Sequence, residues 1–124
     1  MAAAPGGGAA PAAGASAAPT GFQPYEQARE SVAGKRPMVV YYRMEGAKPC
    51  MEQDKLLADP QFQELTKKQV FALADIKSSP QVAQQFGVFR SPTWIFYDGM
   101  GNERGRNVGV IQLTELAMKA GALK

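Results

Sequence analysis

Apolar side chains recur along this chain in two rhythms, a helical spacing and short unbroken runs, and their alternation predicts a layered α/β domain. Tyr25, Ala28 and Val32 stand at i, i+3 and i+7 between Pro24 and Gly34, which predicts a short amphipathic helix. The run Pro37 to Arg43 is β-branched and aromatic without strict alternation, as expected of a central strand covered on both faces. A turn from Met44 to Pro49 follows. Cys50 to Ala58 then reads as helix, Asp59-Pro60 interrupts, and Gln61 to Lys68 resumes with Phe62 and Leu65 on one face.

Val70 to Ile76 is a second buried strand. Ser79 stands as an N-cap before Pro80, and Val82, Ala83 and Phe86 face a core until Gly87 ends the helix. Thr93 to Tyr97 is a third strand, and Asp98 to Asn102 is rich in residues that accept positive φ, so Glu103 to Val108 should return antiparallel. Leu113, Leu116, Ala117 and Ala120 close the chain as an amphipathic helix ending near Gly121. The order α-β-α-β-α-β-β-α requires a right-handed parallel crossover and a terminal hairpin. A mixed central sheet of about four strands, flanked by helices, is therefore expected.

Composition separates the first twenty residues from the rest. They hold ten Ala, four Gly and three Pro, and no charge precedes Glu26. Ordering such a stretch costs roughly 1 to 2 kcal/mol per residue in backbone entropy with almost no large side chain to bury, so residues 1–21 are expected to be a disordered linker and residues 22–124 the folded domain. No basic n-region or Leu-type h-region is present. Ala/Pro/Gly tracts commonly space an envelope anchor or cleaved signal from a domain. The expectation is a periplasmic or cell-envelope protein whose signal was removed and Met1 appended; the alternative is a cytoplasmic protein with a flexible tail.

The whole chain has 124 residues, 14 Lys+Arg against 11 Asp+Glu, no His and one Cys. That length supports one core of modest size. Charged residues interrupt every apolar run well short of the roughly 18 residues of a membrane-spanning helix. Without His and with a single thiol, Ser-His and Cys-His nucleophile pairs, His-ligated metals and Cys-rich zinc sites are impossible within one protomer. Soft ligation by Met44, Cys50 and Met51 lacks the partners it needs, so no metal and no cofactor is expected. Acidic residues are interspersed with the basic ones, Lys67-Lys68 reads as a solvated helix end, and no nucleic-acid partner is expected.

Two features carry chemistry. Gly46-Ala47-Lys48-Pro49-Cys50 joins a buried strand to a helix N-terminus, and Ser91-Pro92-Thr93 opens the third strand with a proline. An X-Pro bond loses only about 0.5 to 1 kcal/mol on becoming cis, and a cis peptide is the reading for Ser91-Pro92; an ordinary strand-entry proline is the plain alternative.

From about Tyr25 to Lys124 the chain resembles the thioredoxin family, through MVVYYRMEGAKPC, FGVFRSPTWIFYDGMG and NVG followed by a helix. The leading helix and LLADPQFQEL resemble the branch that begins with an extra helix. The resemblance implies a thioredoxin fold and thiol-disulfide exchange with a protein or peptide disulfide substrate and a redox partner protein. It sets the family's C-x-x-C on Ala47-Lys48-Pro49-Cys50, so Ala47 stands where the nucleophilic cysteine belongs and Cys50 is the resolving thiol. Lys48 would lend nearby positive charge, and Pro49 completes the motif. The family's cis-proline falls on Pro92, with Ser91 and Thr93 shaping the substrate groove by strand addition. Gly87 and Gly109 match family glycines, Gly46 replaces the usual tryptophan, and Tyr41 replaces the acid often buried beneath the dithiol.

In a dithiol enzyme the first cysteine attacks the substrate disulfide and the second resolves the mixed disulfide. Ala47 has no sulfur, so little reductase activity is expected, whether the alanine is an engineered change or natural divergence. Cys50 alone reads either as a monothiol or as a buried structural thiol, and it could join two chains as a disulfide-linked homodimer. A non-catalytic adaptor gripping an extended peptide along the Pro92 edge is the alternative function.

Overall fold

The computed structural model describes residues 20–32, 35–78 and 80–123. The expected linker, apart from Thr20 and Gly21, and the Gly34 stop and Ser79 cap lie outside the described residues. The described chain begins against a helix: Gln63 Nε2 donates to the Thr20 carbonyl at 3.0 Å.

Among the described residues ten elements follow in chain order: β1 (Gln23–Pro24), α1 (Tyr25–Val32), β2 (Met38–Arg43), α2 (Lys48–Leu57), α3 (Pro60–Lys68), β3 (Val70–Asp75), α4 (Pro80–Gln85), β4 (Thr93–Tyr97), β5 (Glu103–Val108) and α5 (Leu113–Gly121). They build one five-stranded mixed sheet in the order β1-β3-β2-β4-β5. β3 runs parallel to β2, β4 antiparallel to it, and β5 antiparallel to β4. This is the expected architecture with one strand more. β1 pairs parallel with β3 through Gln23 and Pro24 alone. A two-residue edge strand containing proline leaves no hydrophobic rhythm to read, and its place at an edge suits a residue without an N–H.

The expectation that β2 is covered on both faces holds, since all six of its residues are buried. Met38, Val40 and Tyr42 join Tyr25, Ala28 and Val32 of α1, Ala83 of α4 and Ile95 in one core layer. Val39 and Tyr41 face the other way, into a layer with Leu57, Phe62, Trp94, Ile111 and Leu116. Alternation along a strand sends neighbouring side chains to opposite faces, so a sheet with helices on both sides needs apolar residues at every position.

Helix termini follow local chemistry. Pro60 opens α3 behind Asp59, whose carboxylate accepts the Gln61 N–H at 2.8 Å and satisfies one of the donors a helix start leaves open. α2 begins at Lys48, two residues before the expected start at Cys50. Proline lacks an N–H and its φ is already helical, so Pro49 fits inside the first turn and does not have to precede it. No described helix is long and apolar enough to cross a membrane.

Candidate functional site

Three connections meet at one end of the sheet. β2 ends at Arg43 and runs through Met44–Ala47 into α2; Thr93, which starts β4, pairs with Tyr42 on one side and Val108 on the other. The Cys50 turn, the Pro92 loop and the segment after β5 therefore leave the sheet side by side, although they are separated by dozens of residues in the chain. Two further features fix the loops. The Ser91-Pro92 peptide is cis, and the Pro92 carbonyl accepts the Gly109 N–H at 2.8 Å. Gly109 holds that bond at φ +101, a conformation side-chain-bearing residues rarely adopt.

Ala47 is the residue before α2, half-buried, with its N–H on the Met44 carbonyl at 3.1 Å and its own carbonyl accepting the Met51 N–H at 3.0 Å. Lys48 and Pro49 are exposed in the first turn, and Lys48 has no ion pair among the described residues. Cys50 points inward and is 1% exposed. Its Sγ accepts the Met44 N–H at 3.4 Å. Pro92 and Thr93 are buried and Ser91 half-buried. Thr93 Oγ1 donates to the Arg90 carbonyl at 2.7 Å, which braces the loop, while neither backbone group of Ser91 has a hydrogen-bond partner among the described residues.

Beneath the turn lies a polar cluster that the sequence reading did not single out. Tyr41 Oη donates to Asp54 Oδ1 at 2.9 Å and sits 3.5 Å from the Cys50 carbonyl. Arg43 closes on the same carboxylate with Nε and Nη2, at 2.9 and 2.7 Å, and reaches Glu45 at 2.5 Å with Nη1. Burial alone would pull the Arg43 guanidinium down; hydrogen bonds and charges from Asp54 and Glu45 outweigh it and hold the group above its ordinary range. Burial pushes the Tyr41 phenol well above its ordinary value, and the Asp54 carboxylate adds to that. Tyr41 is thus buried beneath the turn with a carboxylate from α2 brought against its hydroxyl.

Gln53, one helical turn beyond Cys50, is fully buried. Its Oε1 accepts from Trp94 Nε1 at 3.1 Å and from the Ile111 N–H at 2.8 Å, and its Nε2 donates to the Ile111 carbonyl at 3.0 Å. The indole of Trp94 stacks on Tyr41 with ring centres 4.4 Å apart and planes 4° from parallel. The buried stripe Cys50, Gln53, Leu57 has helical spacing, and a glutamine inside such a stripe was the signal available for this residue. Among the described residues no three Asp, Glu or Cys side chains converge as a metal-binding group.

The fold is similar to that of known thioredoxins. A thioredoxin from Thermus thermophilus superposes with a TM-score of 0.69 at 24% identity, over 81% of this chain and 83% of that one. Fasciola hepatica thioredoxin superposes at 0.63 and 24% identity over 80% and 90%. A chain in the structure describing thiol resolution of yeast mitochondrial 1-Cys peroxiredoxin via glutathione and thioredoxin systems superposes at 0.68 and 15% identity over 85% and 99%. No family model and no curated protein sequence matches. The chain has the thioredoxin fold, with its Ala47–Cys50 turn and its Pro92 loop at the same end of the sheet.

Proposed function

We propose that this chain is a thioredoxin-like thiol-disulfide exchange protein by descent that keeps the peptide-binding half of that activity and little of the dithiol half. The observation that carries the reading is the contrast across one helical turn: a methyl group at Ala47, where α2 begins, and a thiol at Cys50 only 1% exposed.

A dithiol cycle needs an accessible thiolate at the helix entry to attack one sulfur of the substrate, form the mixed disulfide and expel the other as thiolate; a second thiolate then attacks the protein-side sulfur and releases the reduced product. Ala47 offers no electron pair for the first attack. Cys50 holds the position suited to the second, under the turn and beside the Met44 N–H. What remains is recognition. The unpaired N–H and C=O of Ser91 suit antiparallel addition of an extended polypeptide, Pro92 and Thr93 shape the floor, and Lys48 lends positive charge at the rim.

The expected outcome is insulin reduction by dithiothreitol no faster with this protein than without it. Turnover like that of a dithiol thioredoxin would end the proposal. Ala47→Cys tests the descent directly: formation of a disulfide between the introduced thiol and Cys50, with a gain in reductase activity, supports it, and two thiols that never pair argue for a scaffold that has left exchange chemistry. A purely non-catalytic adaptor is a second reading, favoured by the burial of Cys50. Alkylation separates the two, since an adaptor's thiol reacts only on unfolding while a monothiol exchanger's reacts in the folded state. A cell-envelope location is supported by the Ala/Pro/Gly tract alone, and recovery of the native protein from the cytosol would end that part.

A further inference from the structure

Beside the Pro92 loop lies a surface depression of about 240 Å³ lined by Val88, Phe89, Arg90, Thr93, Arg106 and Val108. Two of its walls are large apolar groups left in water: Phe89 is 84% exposed and Val108 56%. Singly exposed apolar residues are ordinary, but two flanking one concavity beside unpaired backbone groups are a feature of contact surfaces. β5 is moreover an edge strand of the sheet.

The two guanidiniums of the depression differ in their state. Arg106 is already engaged, with Nε and Nη2 on Glu103 at 2.7 and 2.8 Å and Nη2 also on the Phe86 carbonyl at 3.0 Å. Arg90 is exposed and its side chain has neither ion pair nor hydrogen bond among the described residues; the same holds for the ammonium of Lys48 on the Cys50 turn. Apolar walls with an uncompensated cation at the rim select a ligand that is apolar and anionic together.

We infer that this depression is the specificity pocket for an extended, acidic segment of a partner protein, which lies along the Pro92 loop with an apolar side chain against Phe89 and Val108 and a carboxylate at Arg90. The inference deepens the peptide-binding part of the function proposed above and rests on it. Alternate residues of an extended chain point in opposite directions, so one neighbour can fill the depression while the next meets the cation. Arg90 and Lys48 alone are too few here for a nucleic-acid track, which neutralises a row of phosphates.

The test uses the full chain, labelled with 15N, and two synthetic hexapeptides: Ac-Ser-Ile-Glu-Val-Glu-Ser-NH2 and its counterpart with both Glu replaced by Gln. The acidic peptide is expected to shift the amides from Val88 to Thr93 and of Val108 and Gly109, and to bind at least about fivefold more tightly than the neutral one at low salt. Arg90→Gln should remove that difference, and Phe89→Ser should weaken both peptides. If both peptides bind at these residues with equal affinity, or if Arg90→Gln leaves the preference intact, the acidic specificity is wrong and peptide binding survives. If neither peptide moves any amide in 88–93 or 44–50, the inference and the peptide-binding reading fall together. Shifts produced at these residues by phosphatidylglycerol vesicles and not by either peptide would overturn it in favour of a lipid surface.

Discussion

At the scale of single residues, neighbouring tyrosines of β2 are expected to behave oppositely. The Tyr41 hydroxyl donates to Asp54, whereas the Tyr42 and Tyr97 hydroxyls, near one another, are buried with no partner at hydrogen-bond geometry among the described residues. Burial pushes the Tyr42 phenol well up, and it pushes Tyr97 up to about 12, so both stay protonated throughout the stable range. A hydroxyl without a partner has already lost its water and gains nothing in return. Tyr42→Phe should therefore leave stability within about 0.5 kcal/mol or raise it, while Tyr41→Phe should cost about 1 to 2 kcal/mol in urea denaturation. Equal losses would show that the Tyr42 hydroxyl has a bonded partner in solution. Neither fate was legible in the rhythm of MVVYYR, which makes both tyrosines strand core; only the family resemblance set Tyr41 apart. The pairing of Arg43 with Asp54 escaped notice for a related reason: one closes a strand and the other lies in a helix, and only the fold puts them 2.7 Å apart.

At the scale of elements, the β4–β5 hairpin carries a pH dependence of its own. The Asp98 carboxyl is held below its ordinary range by the backbone N–H of Asn102, helped by that of Met100 and by Arg104. Glu103 is held down by its hydrogen bonds to Arg106. Both groups bind protons less readily folded than unfolded, so their contribution is complete above the unfolded pKa and is lost as pH falls through the folded values. Amide protection across residues 98–108 should decline ahead of the central strands as pH drops below about 4, and Asp98→Asn should flatten that decline. Hairpin and core losing protection together would contradict it. Elements as such were readable wherever a rhythm ran for two turns or five residues. Boundaries were not: α2 starts at Lys48 because proline is tolerated in a first turn, and β1 is too short to carry a pattern. Arg104 and Arg106 stand two apart on β5, a spacing that puts both on one face of a regular strand. The irregularity between Phe96 and Tyr97 breaks that pattern, and the two side chains take different acids, Asp98 and Glu103.

At the scale of the whole molecule, Gln53 ties α2 to β4 and to the approach to α5 through three buried hydrogen bonds, with partners as far as 58 residues away. Gln53→Leu removes one acceptor and one donor and strands the Trp94 and Ile111 N–H groups and the Ile111 carbonyl. The expected cost is about 3 kcal/mol, seen as a fall in Tm of more than about 10 °C. A variant as stable as the parent would mean that the helix layer is held by apolar packing alone.

The order of elements from α1 onward, the two-sided burial of β2 and the absence of a nucleophile at Ala47 followed from the chain itself, because periodicity and covalent inventory are local properties that no packing can alter. The burial of the Cys50 thiol, the pairing of Arg43 with Asp54 and the partners of Gln53 were decided only by tertiary structure. Each depends on which distant groups share one desolvated space, and hydrogen bonds between segments 11 to 58 residues apart leave no mark on the local pattern.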